Sequence, residues 1–239
     1  MDDAARELGP DTFGTLLHEI LKRFGRDPAI RTETDPDKIS RYLRHELNQY
    51  LTTCYGVEHL PAVAVQAMQA RARLDAFAIW QAARTNEGWE IKYAEEAGSK
   101  EPTCLSLDGG VTVTISGRID RIDCKDGQWA ILDYKTGDTK RTPQQNHVQN
   151  GQWVDLQLPL YVHLARTLGI EGPMQLGYIV LPKDVAKVEA LMADWDGDTL
   201  ADADQQAINV AQRIYDQEFW PPAPETPKTL TEYAAICQD

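Results

Sequence analysis

The stretch GRIDRIDCKDGQWAILDYKTG, from Gly117 to Gly137, constrains the fold more than any other part of the chain. Branched apolar residues alternate with charged ones on both sides of Asp126-Gly127, a dipeptide that closes two-residue hairpins because both positions accept positive φ. With that turn, Lys125 faces Gln128. Counting outward along both strands then sets Asp120 against Asp133 and Arg118 against Lys135. Opposed side chains in such a pair lie roughly 5 Å apart, and like charges there repel unless something sits between them. A divalent cation is the simplest such occupant for two carboxylates. The plainer reading is a solvated hairpin whose aspartates rest beside Arg118, Arg121 and Lys135. Ile119, Ile122, Ile131 and Leu132 argue against it, because they make both faces partly apolar and imply a covered, central hairpin in which carboxylates need partners. Asp123 has the opposite parity from Asp120, which gives it a structural salt bridge rather than a place in the site.

Around this hairpin the hydrophobic period changes along the chain. Leu16, Leu17, Ile20, Leu21 and Phe24 recur at helical spacing after Asp11 or Thr12 as N-cap, and Asp35 to Leu51 and Leu60 to Ala83 continue the pattern. Trp89 to Tyr93, Thr103 to Leu107 and Val111 to Ser116 read as strands, the last two joined through Asp108-Gly109-Gly110. Beyond Gly137 the sequence predicts a polar loop from Asp138 to Gly151, a helix near Asp155 to Leu168, a strand at Gln175 to Leu181 and a helix near Ala201 to Phe219. Pro221, Pro222 and Pro224 end that last helix. The order predicts an α/β domain in three parts: a helical segment over 1–87, a core over 88–182 and a helical flank and tail over 183–239.

Composition narrows the function classes. No apolar run approaches the ~20 residues that span a bilayer and no leader precedes the first helix, so the chain reads as cytoplasmic, without a membrane partner. Cys54, Cys104, Cys124 and Cys237 show neither a C-x-x-C pair nor zinc spacing and read as reduced thiols. The net charge of −13 weighs against an extended nucleic-acid surface. It leaves room for a local basic groove beside a carboxylate-rich metal site.

Asp133-Tyr134-Lys135 following Asp120 resembles the PD-(D/E)xK nuclease superfamily. More narrowly, it is similar to the RecB-like exonuclease branch, with Gly117-Arg118-Ile119-Asp120-Arg121-Ile122-Asp123 and Asp133-Tyr134-Lys135-Thr136-Gly137 matching its hairpin. Gly14-Thr15-Leu16-Leu17-His18 matches the branch's G-x-x-x-H helix, and Gln157-Leu158-Pro159-Leu160-Tyr161 its Q-x-x-x-Y helix. The resemblance implies a restriction-endonuclease-like α/β core: a central mixed sheet flanked by helices, with an N-terminal helical segment. It implies that His18, Asp120, Asp133 and the Tyr134 carbonyl hold Mg²⁺ or Mn²⁺. Lys135 would then orient the attacking water or steady the phosphate, with Gln157, Tyr161 and Arg118 in the surrounding shell or on DNA. Glu95 or Glu96 supplies a further acidic group, and the sequence does not choose between them. His45, His59, His147 and His163 have no motif around them.

Two departures matter. Some members of the branch clasp an iron–sulfur cluster through one cysteine before the histidine helix and three near the C-terminus. Here no cysteine precedes His18 and one lies near the end, so no cluster is expected. Relatives are commonly the C-terminal part of long helicase–nuclease proteins, so the chain reads as a nuclease domain excised from one, with a helicase domain or another subunit as partner. The implied function is metal-dependent DNA hydrolysis, exonucleolytic, in recombinational repair. The alternatives are an inactive nuclease-like domain that binds DNA or a partner protein, and a site-specific endonuclease of the same fold.

Overall fold

The computed structural model describes residues 7–58, 60–97 (backbone alone at 96 and 97), 103–138 and 141–218. Three helices come first: α1 (Pro10–Arg26), α2 (Pro36–Tyr55) and α3 (Pro61–Asn86). Each opens on a proline, whose fixed φ suits the first turn and whose missing N–H is not needed there. The cap of α1 is therefore Gly9, not Asp11 or Thr12; both of those lie inside the first turn that Pro10 begins.

Five strands form one mixed sheet in the order β1 (Glu90–Ala97), β4 (Arg118–Lys125), β5 (Gln128–Lys135), β8 (Met174–Val180), β9 (Glu189–Met192). All neighbours are antiparallel except β5 and β8, which the chain joins by a crossover. Between β1 and β4 lies a separate hairpin, β2 (Thr103–Ser106) and β3 (Thr112–Ile115), turned at Asp108–Gly110 as expected. The stretch expected as a polar loop from Asp138 holds instead the short helix α4 (Pro143–His147) and a small hairpin of β6 (Val148–Gln149) and β7 (Gln152–Trp153). Thr142 and Gln145 close a capping box on α4, and Asn150-Gly151, both at positive φ, turn the hairpin. Helix α5 (Gln157–Thr167) completes the crossover, and α6 (Gly197–Tyr215) follows β9.

The sheet is covered on both faces. On one, α1, α2 and α3 pack Leu17, Ile20, Phe24, Leu43, Leu74 and Phe77 onto Ala130, Leu132 and Tyr134. On the other, Leu158, Leu164 and Ala165 of α5 pack onto Ile122, Ile131 and Leu176. This is the α/β restriction-endonuclease-like architecture, a central mixed sheet flanked by helices. Among the described residues no helix is long and apolar enough to cross a membrane.

Candidate metal centre

The β4–β5 hairpin turns at Asp126 and Gly127, with φ of +49° and +79°, and its rungs run from Lys125–Gln128 to Arg121–Leu132. The register is the one the turn dictates. Beyond Arg121 the ladder stops, and Asp120 Oδ2 accepts a hydrogen bond from the Tyr134 backbone N–H at 2.9 Å. The expected opposition of Arg118 and Lys135 is not formed. The strands have parted to admit a carboxylate, and each cation has gone to one of its own: Arg118 Nη1 lies 3.2 Å from Glu95 Oε2, Lys135 Nζ 2.8 Å from Asp133 Oδ2.

At this parted end three elements converge. Ligand-type atoms of His18 on α1, Glu95 on β1 and Asp120 on β4 all lie within 4.8 Å of one another. Glu95 sits between the pairs Ala94–Arg121 and Glu96–Ile119, so it faces Asp120. The Glu96 side chain lies outside the described residues. His18 Nδ1 is 3.4 Å from Asp120 Oδ2, and its ring stands edge-on to Tyr134 at 5.8 Å. A hydrogen bond with the Tyr134 backbone places that carbonyl beside the imidazole. Gly14, one turn before His18, lets the strand-end turn approach: a Cβ there would lie 3.2 Å from Thr136 Oγ1.

Burial, then the charges of Asp133 and Glu95, push the Asp120 carboxyl up to about 7. Burial also lowers the pKa of His18 in spite of the same carboxylates, which favours the neutral imidazole. For Lys135 burial acts downward, but the charge and hydrogen bond of Asp133 outweigh it and the pKa is raised. The Lys135 ammonium also lies 4.9 Å from the centroid of the Tyr178 ring and 3.5 Å from Gln157 Oε1. Gln157 Nε2 donates to the Tyr161 hydroxyl at 2.9 Å, so the two residues share one helix face as their spacing predicts.

Asp123 points the other way, fully buried, with Arg121 Nε at 2.6 Å and Arg84 Nε at 2.7 Å. That is the salt bridge its parity called for. Several residues near the site carried no signal in the sequence. His147 is buried against the Tyr178 hydroxyl at 2.6 Å and the Asp155 carbonyl at 2.8 Å. Arg73 of α3 donates to the Thr136 and Leu181 carbonyls and to Asp138. Each acts on a distant side chain or on a backbone carbonyl, where no local pattern records the partner. His59, Lys140, Cys237 and the proline run at Pro221, Pro222 and Pro224 lie outside the described residues.

A divalent cation fits this donor set. Three carboxylates and an imidazole meet in a half-buried space, and one carboxyl keeps its proton up to near neutrality for want of positive charge. The model of the PD-(D/E)XK nuclease superfamily matches residues 2–238. The chain belongs to that superfamily. Two curated relatives place it near the superfamily's RecB-like branch. Both are large polypeptides of the ATP-dependent helicase/deoxyribonuclease: that of Acetivibrio thermocellus is 28% identical over 146 residues, and that of Ruminiclostridium cellulolyticum 25% identical over 151. The matches cover 54% and 55% of this chain but 13% of each relative, so the chain spans a small part of their length. The solved structure described as "Crystal structure of SSO0001" aligns over 96% of this chain and 97% of its own, at 16% identity and a TM-score of 0.36, too distant to bear on this PD-(D/E)XK member. The family and the relatives support a nuclease role.

Proposed function

We propose that this chain is a divalent-metal-dependent deoxyribonuclease that hydrolyses phosphodiester bonds at DNA ends during recombinational repair. The observation that carries the reading is the convergence of His18, Glu95 and Asp120 at the parted end of the hairpin that bears Asp133 and Lys135. His18, Asp120, Asp133 and the Tyr134 carbonyl hold Mg²⁺ or Mn²⁺, and Glu95 joins them. Oxygen-rich donors suit either ion, and one imidazole tilts the set toward Mn²⁺. The bound cation supplies a water of lowered pKa and neutralises charge on the phosphate.

The chain's own residues do the rest. Lys135, kept protonated by Asp133, presents its ammonium to the attacking water or to the phosphate oxygens as their charge grows. Gln157 and Tyr161 flank that ammonium and reach the substrate backbone, and Arg118, half freed on the surface, contacts a phosphate. The names of the relatives suggest the setting: the chain works as the nuclease part of a helicase–nuclease assembly, which supplies the helicase as partner.

The test is incubation of end-labelled single- and double-stranded DNA with Mg²⁺ or Mn²⁺. Cleavage is expected from the parent and is expected to fall by about 10²-fold or more in Lys135→Ala, while Mn²⁺ affinity is retained. A parent that binds metal and DNA without cutting would instead identify a binding module. Near-parent cutting by the variant would remove Lys135 from the chemistry.

A further inference from the structure

Glu95 is one of the few non-glycine residues with a left-handed backbone among the described residues, at φ +53°, and it occupies that conformation inside an edge strand. A side-chain-bearing residue stays there only when its surroundings hold it, because Cβ crowds the following carbonyl. One guanidinium does the holding. Arg26, in the last turn of α1, donates from Nε to the Ala94 carbonyl at 3.0 Å and from Nη2 to the Glu95 carbonyl at 2.9 Å. The planar fork of arginine spans two successive carbonyls, which a lysine ammonium cannot do in a fixed geometry. The residue before it lets the helix come this close. Gly25 has no Cβ, and one placed there would meet Ala94 Cβ at 2.6 Å.

We propose that Arg26 is a positioning residue for the metal centre, holding Glu95 in the left-handed conformation from which its carboxylate faces His18 and Asp120. The inference rests on the metal-site reading above. It also explains why His18 and Arg26 share one helix. They lie eight residues apart on α1, about two turns, so a single rigid element presents the imidazole and sets the backbone of the carboxylate opposite it. On its solvent side Glu95 pairs with Arg118, an exposed partner that leaves it free to turn to a cation.

The experiment is calorimetric titration of the purified chain with Mn²⁺ alone, for the parent, Arg26→Ala, Arg26→Lys, Glu95→Gln and the double variant Arg26→Ala/Glu95→Gln. Melting temperatures in EDTA are taken alongside. Groups that orient metal ligands typically carry about 10- to 100-fold in affinity, and a loss in that range is expected for Arg26→Ala. The double variant is expected to bind no more weakly than Glu95→Gln, since without the carboxylate there is nothing left to position. A merely structural arginine would give losses that add, and that result overturns the proposal, as does parent-like affinity in Arg26→Ala. Should Arg26→Ala fail to fold, Arg26→Lys decides, with weakened Mn²⁺ binding expected at an unchanged metal-free melting temperature. A parent that binds no Mn²⁺ overturns the metal reading and this inference with it; a parent that binds while the arginine variants bind equally overturns only the clamp.

Discussion

Asp120 and Asp123 lie three residues apart on one strand and have opposite energetic signs. Asp123 is a buried anion with two guanidinium partners, so Asp123→Ala leaves Arg121 and Arg84 desolvated without a counter-charge and should cost about 3–5 kcal/mol in thermal or urea unfolding. Asp120 is a buried carboxyl crowded by other carboxylates. Its folded pKa of about 7 lies above the ordinary 3.8, so between those values the folded chain keeps a proton that the unfolded chain has released. Its contribution to metal-free stability is therefore full below about pH 4 and lost as pH rises through 7. Asp120→Asn keeps an oxygen for the Tyr134 N–H and removes the repulsion. In EDTA at pH 8 it should melt higher than the parent, by on the order of 2 kcal/mol, and bind Mn²⁺ poorly. An Asn variant that melts lower and still binds would mean that Asp120 is an ordinary structural carboxylate. Because the ion competes with that proton, the Mn²⁺-induced rise in melting temperature should grow as pH goes from 6 to 8.

Elements whose partners are local were legible in the sequence. Asp126-Gly127 sets the register of β4 and β5, and parity alone separated Asp120 from Asp123. The helices of the first half were legible for the same reason, as was the crossover helix with Gln157 and Tyr161 one turn apart. What was not legible depends on distant contacts. The β9 strand has a short, half-exposed pattern and exists because β8 offers it an edge. Arg26 and Arg73 act on carbonyls far along the chain, and the choice of Glu95 over its neighbour follows from a backbone twist that only α1 imposes. The β8–β9 contact is tight enough to test. A Cβ on Gly177 would lie 2.7 Å from the Leu191 carbonyl oxygen and 2.8 Å from Met192 Sδ, and the backbone oxygen has nowhere to go. Gly177→Ala should therefore cost about 1–3 kcal/mol in chemical denaturation while leaving Mn²⁺ affinity intact. No loss of stability would show that β9 can move away freely.

At the scale of the whole molecule the dominant fact is a net charge of −13 around a site meant for an anion. Only a short basic track adjoins the metal centre, from Arg118, Lys135 and Arg141, so the isolated chain should hold DNA weakly. With about three phosphates neutralised, log affinity against log salt should slope at roughly −3 on a labelled single strand. Ca²⁺ should strengthen binding relative to EDTA, because clustered carboxylates repel phosphate until a cation intervenes. Fluorescence anisotropy measures both; tight, metal-independent binding with a steep slope would contradict them and favour the binding module over the enzyme. The route by which α1 reaches the sheet has a temporal consequence. His18 and Asp120 are separated by about 100 residues, and closing that loop costs on the order of 4 kcal/mol of chain entropy before any contact repays it. During synthesis the histidine helix leaves the ribosome long before the hairpin exists. A nascent chain therefore carries every early part of a cutting site and no site, and the hazard of an active nuclease is deferred until the last strands have been made.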